Sequence, residues 1–140
     1  MRRFAALLAV VLLAACSNEI DTSTRPEAIV GTYGLLTYGG NKLPTLLSSD
    51  ANGSMELLSG ELVIGADKSW SETRVYRVTE ASGVQQIAFG SSGSWTMLGE
   101  GAFMQFNDKV RGYQFTGMAA GGSVTLNLND GATVIYTHDK

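Results

Sequence analysis

The chain is poor in the residues that carry most protein chemistry. Its 140 residues include one cysteine, one histidine and two prolines. A single cysteine excludes an intramolecular disulfide framework. With His138 as the only histidine and no second cysteine, there is no plausible Ser-His-Asp, Cys-His or zinc-binding set. We therefore predict no catalytic residue, no metal site and no cofactor, and we expect a protein that is not an enzyme.

Positive charge is also scarce. Ten Lys and Arg residues stand against 13 Asp and Glu residues, for a net charge of −3, and the basic residues form no cluster. This distribution lacks the electrostatic footprint of a nucleic-acid-binding surface, so no nucleic-acid partner is expected. The 17 glycines fall at predicted hairpin turns and do not open helices, which argues against a phosphate-binding loop.

The long hydrophobic runs of a membrane span are missing. Arg2 and Arg3 precede one apolar run, Phe4 to Ala15, which ends sharply at Ser17. A membrane-spanning helix needs about 20 apolar residues, so this run is too short. A positive start followed by a short apolar stretch is typical of an export signal, and we predict a cleaved signal peptide over residues 1–15.

The end of this run, Leu13-Ala14-Ala15-Cys16, resembles the lipobox of bacterial lipoproteins. The resemblance implies cleavage before Cys16 and lipidation of its thiol, which would anchor the protein to a membrane. Several acyl chains, at about 0.8 kcal/mol per buried CH₂, hold a protein on a bilayer better than one. Because Ser17 is not Asp, the resemblance implies the periplasmic leaflet of the outer membrane in a Gram-negative cell envelope. The alternative is an ordinary cleaved signal with Cys16 near the cut by chance.

The rest of the chain divides into a tether and one domain. Residues 16–27 are polar, contain Pro26 and show no hydrophobic period, which predicts a flexible tether. Residues 28–140 alternate apolar and polar residues in short segments separated by glycine-rich turns, which predicts β-strands. The predicted strands are Ala28 to Tyr38, Ser54 to Gly65, Ser69 to Thr79, Gln85 to Leu98, Ala102 to Asn107, Arg111 to Met118, Val124 to Leu128 and Thr133 to Thr137.

About eight strands at regular spacing predict an all-β domain, an up-and-down antiparallel β-barrel. Two segments are less regular. Gly90-Ser91-Ser92-Gly93 interrupts one strand, which is then either one bulged strand or two short ones. Thr45 to Gly53 is predicted to be a polar loop with a helical turn at Leu46 and Leu47.

Three motifs resemble those of small bacterial lipocalin-like domains. The first strand carries Gly31-Thr32-Tyr33 and leads to a turn ending in Leu43-Pro44; Gly60-Glu61-Leu62 precedes Asp67-Lys68-Ser69-Trp70; and Ser92-Gly93-Ser94-Trp95 opens a later strand. The resemblance implies a calycin-type barrel. Classical lipocalins have Trp where this chain has Tyr33, and their later Thr-Asp-Tyr signature is absent.

Glu72 and Arg74 are two residues apart on a strand and share a face with Trp70 and Tyr76. They are either a polar anchor inside an aromatic pocket or a solvated ion pair on the surface. The candidate ligand-binding residues lining the barrel are Tyr33, Trp70, Glu72, Arg74, Tyr76, Trp95, Met104 and Tyr113. The alternative for the aromatic members is core packing, because a barrel without disulfides must fill its interior.

These features predict a lipoprotein of the cell envelope whose barrel binds a small apolar or amphipathic molecule. The membrane, through the lipid on Cys16, is its first expected partner. The alternative is an interaction or inhibitor module with a filled barrel, whose surface or Thr45 to Gly53 segment contacts an envelope protein.

Overall fold

The computed structural model describes residues 28–99 and 102–138. The predicted signal peptide, Cys16 and the predicted tether lie outside the described residues. The described chain forms ten β-strands: β1 Gly31–Tyr38, β2 Asn41–Lys42, β3 Thr45–Asp50, β4 Gly53–Ile64, β5 Ser69–Glu80, β6 Gly83–Met97, β7 Phe103–Asp108, β8 Gln114–Ala120, β9 Ser123–Asn127 and β10 Thr133–His138.

Eight of these strands close into an antiparallel barrel. From β4 to β10 each strand pairs with the next along the chain, β10 pairs with β1, and β1 returns to pair with β4. The closing pair runs in register from Gly31 opposite Ile64 to Gly34 opposite Glu61. The predicted eight-stranded barrel is therefore confirmed. Strands β2 and β3 are additional and lie outside it.

Alternation along each strand fills the barrel. In β7, Met104 and Phe106 are buried while Phe103 is exposed, and in β9 Val124 and Leu126 are buried. Successive side chains of a strand point to opposite faces, so one face of every strand supplies the core. The largest fully buried side chains include Trp95, Tyr33, Tyr136, Phe106, Leu62 and Ile64.

The aromatic polar groups in this core have partners. The Trp70 indole donates to the Asn107 carbonyl at 3.3 Å, and the Trp95 indole donates to the Gly65 carbonyl at 3.1 Å. The Tyr33 hydroxyl donates to the Ile29 carbonyl at 2.8 Å. Buried aromatic residues contribute packing without an orphaned donor when their polar end is bonded in this way.

The sheet continues beyond the barrel at one corner. Strand β1 covers only residues 61–64 of β4, and β7 covers only residues 93–97 of β6. Within the described residues, the strand portions beyond these pairings are joined only to each other, in the order β3, β4, β5, β6. We call this four-stranded part, residues 45–50, 53–59, 75–80 and 83–90, the sheet extension.

The strands of the sheet extension test two of the local predictions made from the sequence. The predicted loop at Thr45 to Gly53, with its helical turn, is wrong: residues 45–50 form β3, which pairs with β4 from Thr45 opposite Leu57 to Asp50 opposite Gly53. The hydrogen bonds of strand pairing hold this segment in an extended conformation, although its sequence does not alternate apolar and polar residues. Of the two possibilities for the interrupted strand, β6 is one strand, and it keeps an unbroken register with β5 from Gly83 to Ser94.

No helix within the described ranges is long and apolar enough to cross a membrane.

Candidate functional site

An open cavity of about 500 Å³ lies at one end of the barrel. Ligand sites for small molecules commonly have volumes of about 300–1,000 Å³. The cavity forms where the end of β1, the middle of β5 and the β7–β8 and β9–β10 connections meet. Its lining consists of Tyr38, Arg74, Tyr76, Arg111, Tyr113, Leu128, Asn129 and Asp130. We call this cavity the barrel mouth.

A buried ion pair forms the floor of the barrel mouth. The Arg74 guanidinium donates from Nε at 3.0 Å and from Nη2 at 2.6 Å to Oε1 of Glu72. The side chains are only 5% and 4% exposed, which excludes the solvated surface pair considered for them. Burial lowers the pKa of Arg74, but the charge of Glu72, the electrostatic interaction with Tyr136 and the hydrogen bonds to both together outweigh it, so the pKa is raised and Arg74 stays cationic. Strand alternation places both on the inner face of β5.

Tyr136 completes this buried cluster from β10, three strands away from β5 around the barrel. Its hydroxyl donates to the same Oε1 atom of Glu72. Burial, followed by the negative charge of Glu72, raises the pKa of Tyr136 well above its ordinary value of 10.0. The phenol therefore remains protonated at neutral pH and acts as a donor. Three donors on one oxygen fix the Glu72 carboxylate beneath Arg74.

Asp108 holds the β7–β8 connection against the barrel mouth. Its buried carboxylate accepts from the Ser91 hydroxyl at 2.5 Å and from the backbone N–H groups of Val110 and Arg111 at 2.9 and 2.8 Å. In the sequence, Glu100 and Asp108 both stand in predicted turns, where a carboxylate is expected to be solvated, and for Asp108 that expectation is wrong. Its side chain is fully buried. Glu100, which was interpreted in the same way, lies outside the described residues.

The loop anchored by Asp108 presents Arg111 to the cavity. Arg111 donates from Nη1 to the Tyr113 hydroxyl at 3.0 Å and lies 4.0 Å from the Asp108 carboxylate. Burial lowers the pKa of Arg111, but the hydrogen bond to Tyr113 and the electrostatic interactions with Tyr113 and Glu72 together outweigh it, so the pKa is raised. The barrel mouth thus contains a second fixed cation, which is about one-third exposed.

Tyr38 forms the opposite rim. Its ring centroid lies 5.5 Å from the Arg74 guanidinium carbon, and its hydroxyl donates to Asp130 Oδ2 at 3.2 Å. Burial and the neighbouring Asp130 carboxylate raise the pKa of Tyr38. The cavity wall is therefore built from two guanidinium groups, one carboxylate and tyrosine rings, and the buried carboxylates of Glu72 and Asp108 lie behind the two guanidinium groups.

An apolar strip leads from the barrel mouth onto the sheet extension. Tyr76 lines the cavity and contacts Phe89 edge to face, with ring centroids 5.6 Å apart. Phe89 pairs across from Arg74, and Ile87 across from Tyr76, so these side chains share the inner face of the sheet. Phe89 is 55% exposed. A polar cavity and an accessible apolar surface are therefore continuous.

The sequence-predicted candidates separate into two groups. Arg74, Tyr76 and Tyr113 line the barrel mouth, and Glu72 lies directly beneath it. The remaining members are part of the packed core, and these are Tyr33, Trp70, Trp95 and Met104. Trp70 packs edge to face against Phe106 and Phe115 at 5.7 and 5.4 Å. The structure does not bring these four residues into the open cavity.

The sequence pattern did not indicate five residues of the cavity lining, and these are Tyr38, Arg111, Leu128, Asn129 and Asp130. Each lies at a strand end or in a connection, where alternation no longer indicates a side-chain direction. One signal was available for three of them. Tyr38 ends β1, and Asn129 and Asp130 form the β9–β10 turn, and in an up-and-down barrel these two places lie at the same end.

Other surface features are less developed. A depression of about 200 Å³ and a space of about 420 Å³ lie near the two hairpin tips of the sheet extension. Neither is lined by a buried charged side chain. Within the described part of the chain, no group of three or more His, Cys, Asp or Glu residues is arranged to hold a metal ion.

Comparison with known proteins gives no relative: no protein-family model matches the chain, and neither the curated proteins nor the solved structures contain a match.

Proposed function

We propose that the protein is an envelope lipoprotein, anchored through Cys16, that binds a small amphipathic molecule at the barrel mouth. The observation that carries the binding function is the cavity of about 500 Å³ above the buried Glu72–Arg74 pair. A buried charged pair at the floor of an open aromatic cavity is typical of a polar group that orients a ligand. The binding site is the mouth, because the barrel interior below it is packed with side chains.

The lining indicates the chemistry of this ligand. Arg74 and Arg111 suit an anionic group, since a guanidinium presents several donors in a fixed plane. The tyrosine rings and the Phe89 strip suit an apolar or aromatic portion. An amphipathic anion matches both surfaces at once, with its charged end in the mouth and its apolar end toward the sheet extension.

Replacement of Arg111 by Gln tests this site. Using the fluorescent amphiphilic anion anilinonaphthalene sulfonate as the probe, we expect Arg111→Gln to raise the probe's Kd about tenfold, the effect of losing one charge-assisted hydrogen bond. Titration of the fluorescence measures both affinities. Lys109→Gln is the matched control, because Lys109 is an exposed cation of the same connection but does not line the cavity.

The control must keep the wild-type affinity. Equal weakening by both substitutions indicates general electrostatic attraction, and no weakening by Arg111→Gln places the probe elsewhere; either result contradicts the proposed site. Native mass spectrometry of the protein purified from its own envelope then asks which small molecule it retains.

The lipid anchor is tested separately. In the full-length chain expressed in its host, Cys16→Ser is expected to abolish incorporation of labelled fatty acid and to release the protein from the membrane fraction. Ser17→Ala, next to the modified position, is the control and keeps the label. Fatty-acid labelling that survives Cys16→Ser contradicts the anchor.

The second candidate function is a protein-interaction module of the envelope. The filled barrel interior and the exposed apolar side chains of the sheet extension favour it. A protein that retains no small molecule and leaves the probe unbound, but co-purifies with one envelope protein, supports this candidate instead.

A further inference from the structure

The outer edge of β6 is an unprotected strand edge. Residues 83–92 pair with β5 on one side, and pairing with β7 begins only at Gly93. On the side of β6 that faces away from β5, the first backbone hydrogen bond is the one that the Ser92 carbonyl accepts from the Lys109 N–H at 2.9 Å. Among the described residues, 83–90 therefore have no partner strand on this side, and they leave backbone N–H and C=O groups unpaired along about 26 Å of extended chain, at roughly 3.3 Å per residue.

Natural proteins usually protect such edges with charges, prolines, bulges or short strands. The β6 edge has none of these. There is no charged residue and no proline between Glu80 and Glu100, and the β5–β6 register shows no bulge. By contrast, the β3 edge is bulged between Leu46 and Ser48 and ends in Asp50.

Apolar side chains accompany the open backbone groups. Phe89 and Val84 are 55% and 66% exposed and lie on opposite faces of the sheet extension, because they are five positions apart on one strand and side chains alternate between the faces. A strand added to this edge would cover part of both faces. The chemistry that fits the edge is an extended, uncharged segment with alternating apolar residues.

A second copy of this chain offers such a segment. We propose that the protein forms a two-fold dimer in which residues 83–90 of the two copies pair antiparallel. A two-fold axis makes the contact self-complementary, and it leaves neither copy with an open β6 edge. Pairing β6 with β3 of another copy would instead leave a free edge at each end and propagate without closing.

The side chains permit this pairing. Every residue of the segment is uncharged, so no like charges meet across the new strand pair. The charged residues directly across from the segment, Arg74, Arg77 and Glu80, belong to β5 and lie one strand away. The dimer joins two four-stranded sheet extensions into one continuous sheet.

Sedimentation velocity on a chain comprising residues 17–140 tests the dimer. This chain includes all ten described strands and the closed barrel. We expect a monomer–dimer equilibrium between low micromolar and near-millimolar concentration. The double substitution Gln85→Lys/Ala88→Lys places an exposed cation on each face of β6, and like charges across an interface disfavour association. We expect it to raise the dimer Kd at least about tenfold.

Thr116→Lys is the matched control. It adds an exposed cation to β8, which is paired on both sides, and should leave the dimer Kd unchanged. Circular dichroism verifies that all variants are folded, and hydrogen exchange of the wild type is expected to slow at residues 83–90 as concentration rises. A chain that stays monomeric throughout, or a dimer that the double substitution does not weaken, overturns the proposal.

Discussion

Arg74→Met is expected to lower the free energy of unfolding by about 3–5 kcal/mol, the usual loss when one partner of a buried ion pair is removed. The substitution leaves Glu72 as an uncompensated buried carboxylate, with only Tyr136 as a remaining hydrogen-bond donor among its present partners. Urea denaturation at neutral pH, followed by tryptophan fluorescence, measures the loss.

Arg77→Met on the same strand is the matched control. Arg77 pairs with Glu56 at 3.0 Å, but the two side chains are 43% and 31% exposed. Exposed ion pairs contribute about 0–1 kcal/mol because water already solvates both charges. Similar losses for the two substitutions would contradict a dominant role for burial of the Glu72–Arg74 pair.

Gly93→Ala is expected to cost about 3 kcal/mol or more, at the upper end of the range for overpacking. A Cβ at this position would lie 1.7 Å from the Asn107 carbonyl oxygen and 3.0 Å from Nε1 of Trp70. The oxygen belongs to the backbone of the neighbouring strand, so relief requires β6 and β7 to separate. The same oxygen accepts the Trp70 indole hydrogen bond, which would be strained as well. Thermal and urea denaturation measure the effect.

Gly90→Ala separates this close approach from the general cost of changing a strand glycine. Gly90 lies on the same strand, but its Cβ would meet only the Glu72 carbonyl at 3.6 Å, an ordinary contact. We expect a stability change near zero or a slight gain, since alanine restricts the unfolded chain. Equal destabilisation at Gly90 and Gly93 would show that the close contact with Asn107 is not the cause.

The motif Ser92-Gly93-Ser94-Trp95 gains a physical explanation from this geometry. In the sequence, the motif only resembles that of small lipocalin-like domains. In the folded barrel, Gly93 permits the close approach of β6 and β7, and the Trp95 side chain is buried in the interior. A pattern of residues cannot reveal which backbone atom will lie beside a glycine, because that atom comes from another strand.

Alternation identified the buried face of β5 because Trp70, Glu72 and Arg74 recur at every second residue. Alternation could not distinguish a solvated pair from a buried one, since the partners of this pair come from elsewhere in the chain: the Tyr136 hydroxyl, which bonds to Glu72, is 64 residues away from it. For Asp108 the same limit applied: a turn aspartate is usually solvated, and only the fold brings Ser91 beside it.

Strand β3 shows a different limit. Thr45 to Asp50 has no alternating pattern, so its local sequence favoured a loop. The 12-residue strand β4 extends beyond the barrel and offers an edge with which β3 pairs. Pairing partners decide strand formation where side-chain pattern is weak, because β-propensity depends strongly on context.

The sequence by itself determined an all-β barrel of about eight strands, since strand alternation and glycine-rich turns are local properties. It also predicted the lipid anchor at Cys16, which depends on a short contiguous motif. Only the tertiary structure decided that the core is filled, that Glu72 and Arg74 form the floor of an open mouth, and that β6 keeps a free edge. These features arise between residues distant in the chain, so they depend on barrel closure and strand register.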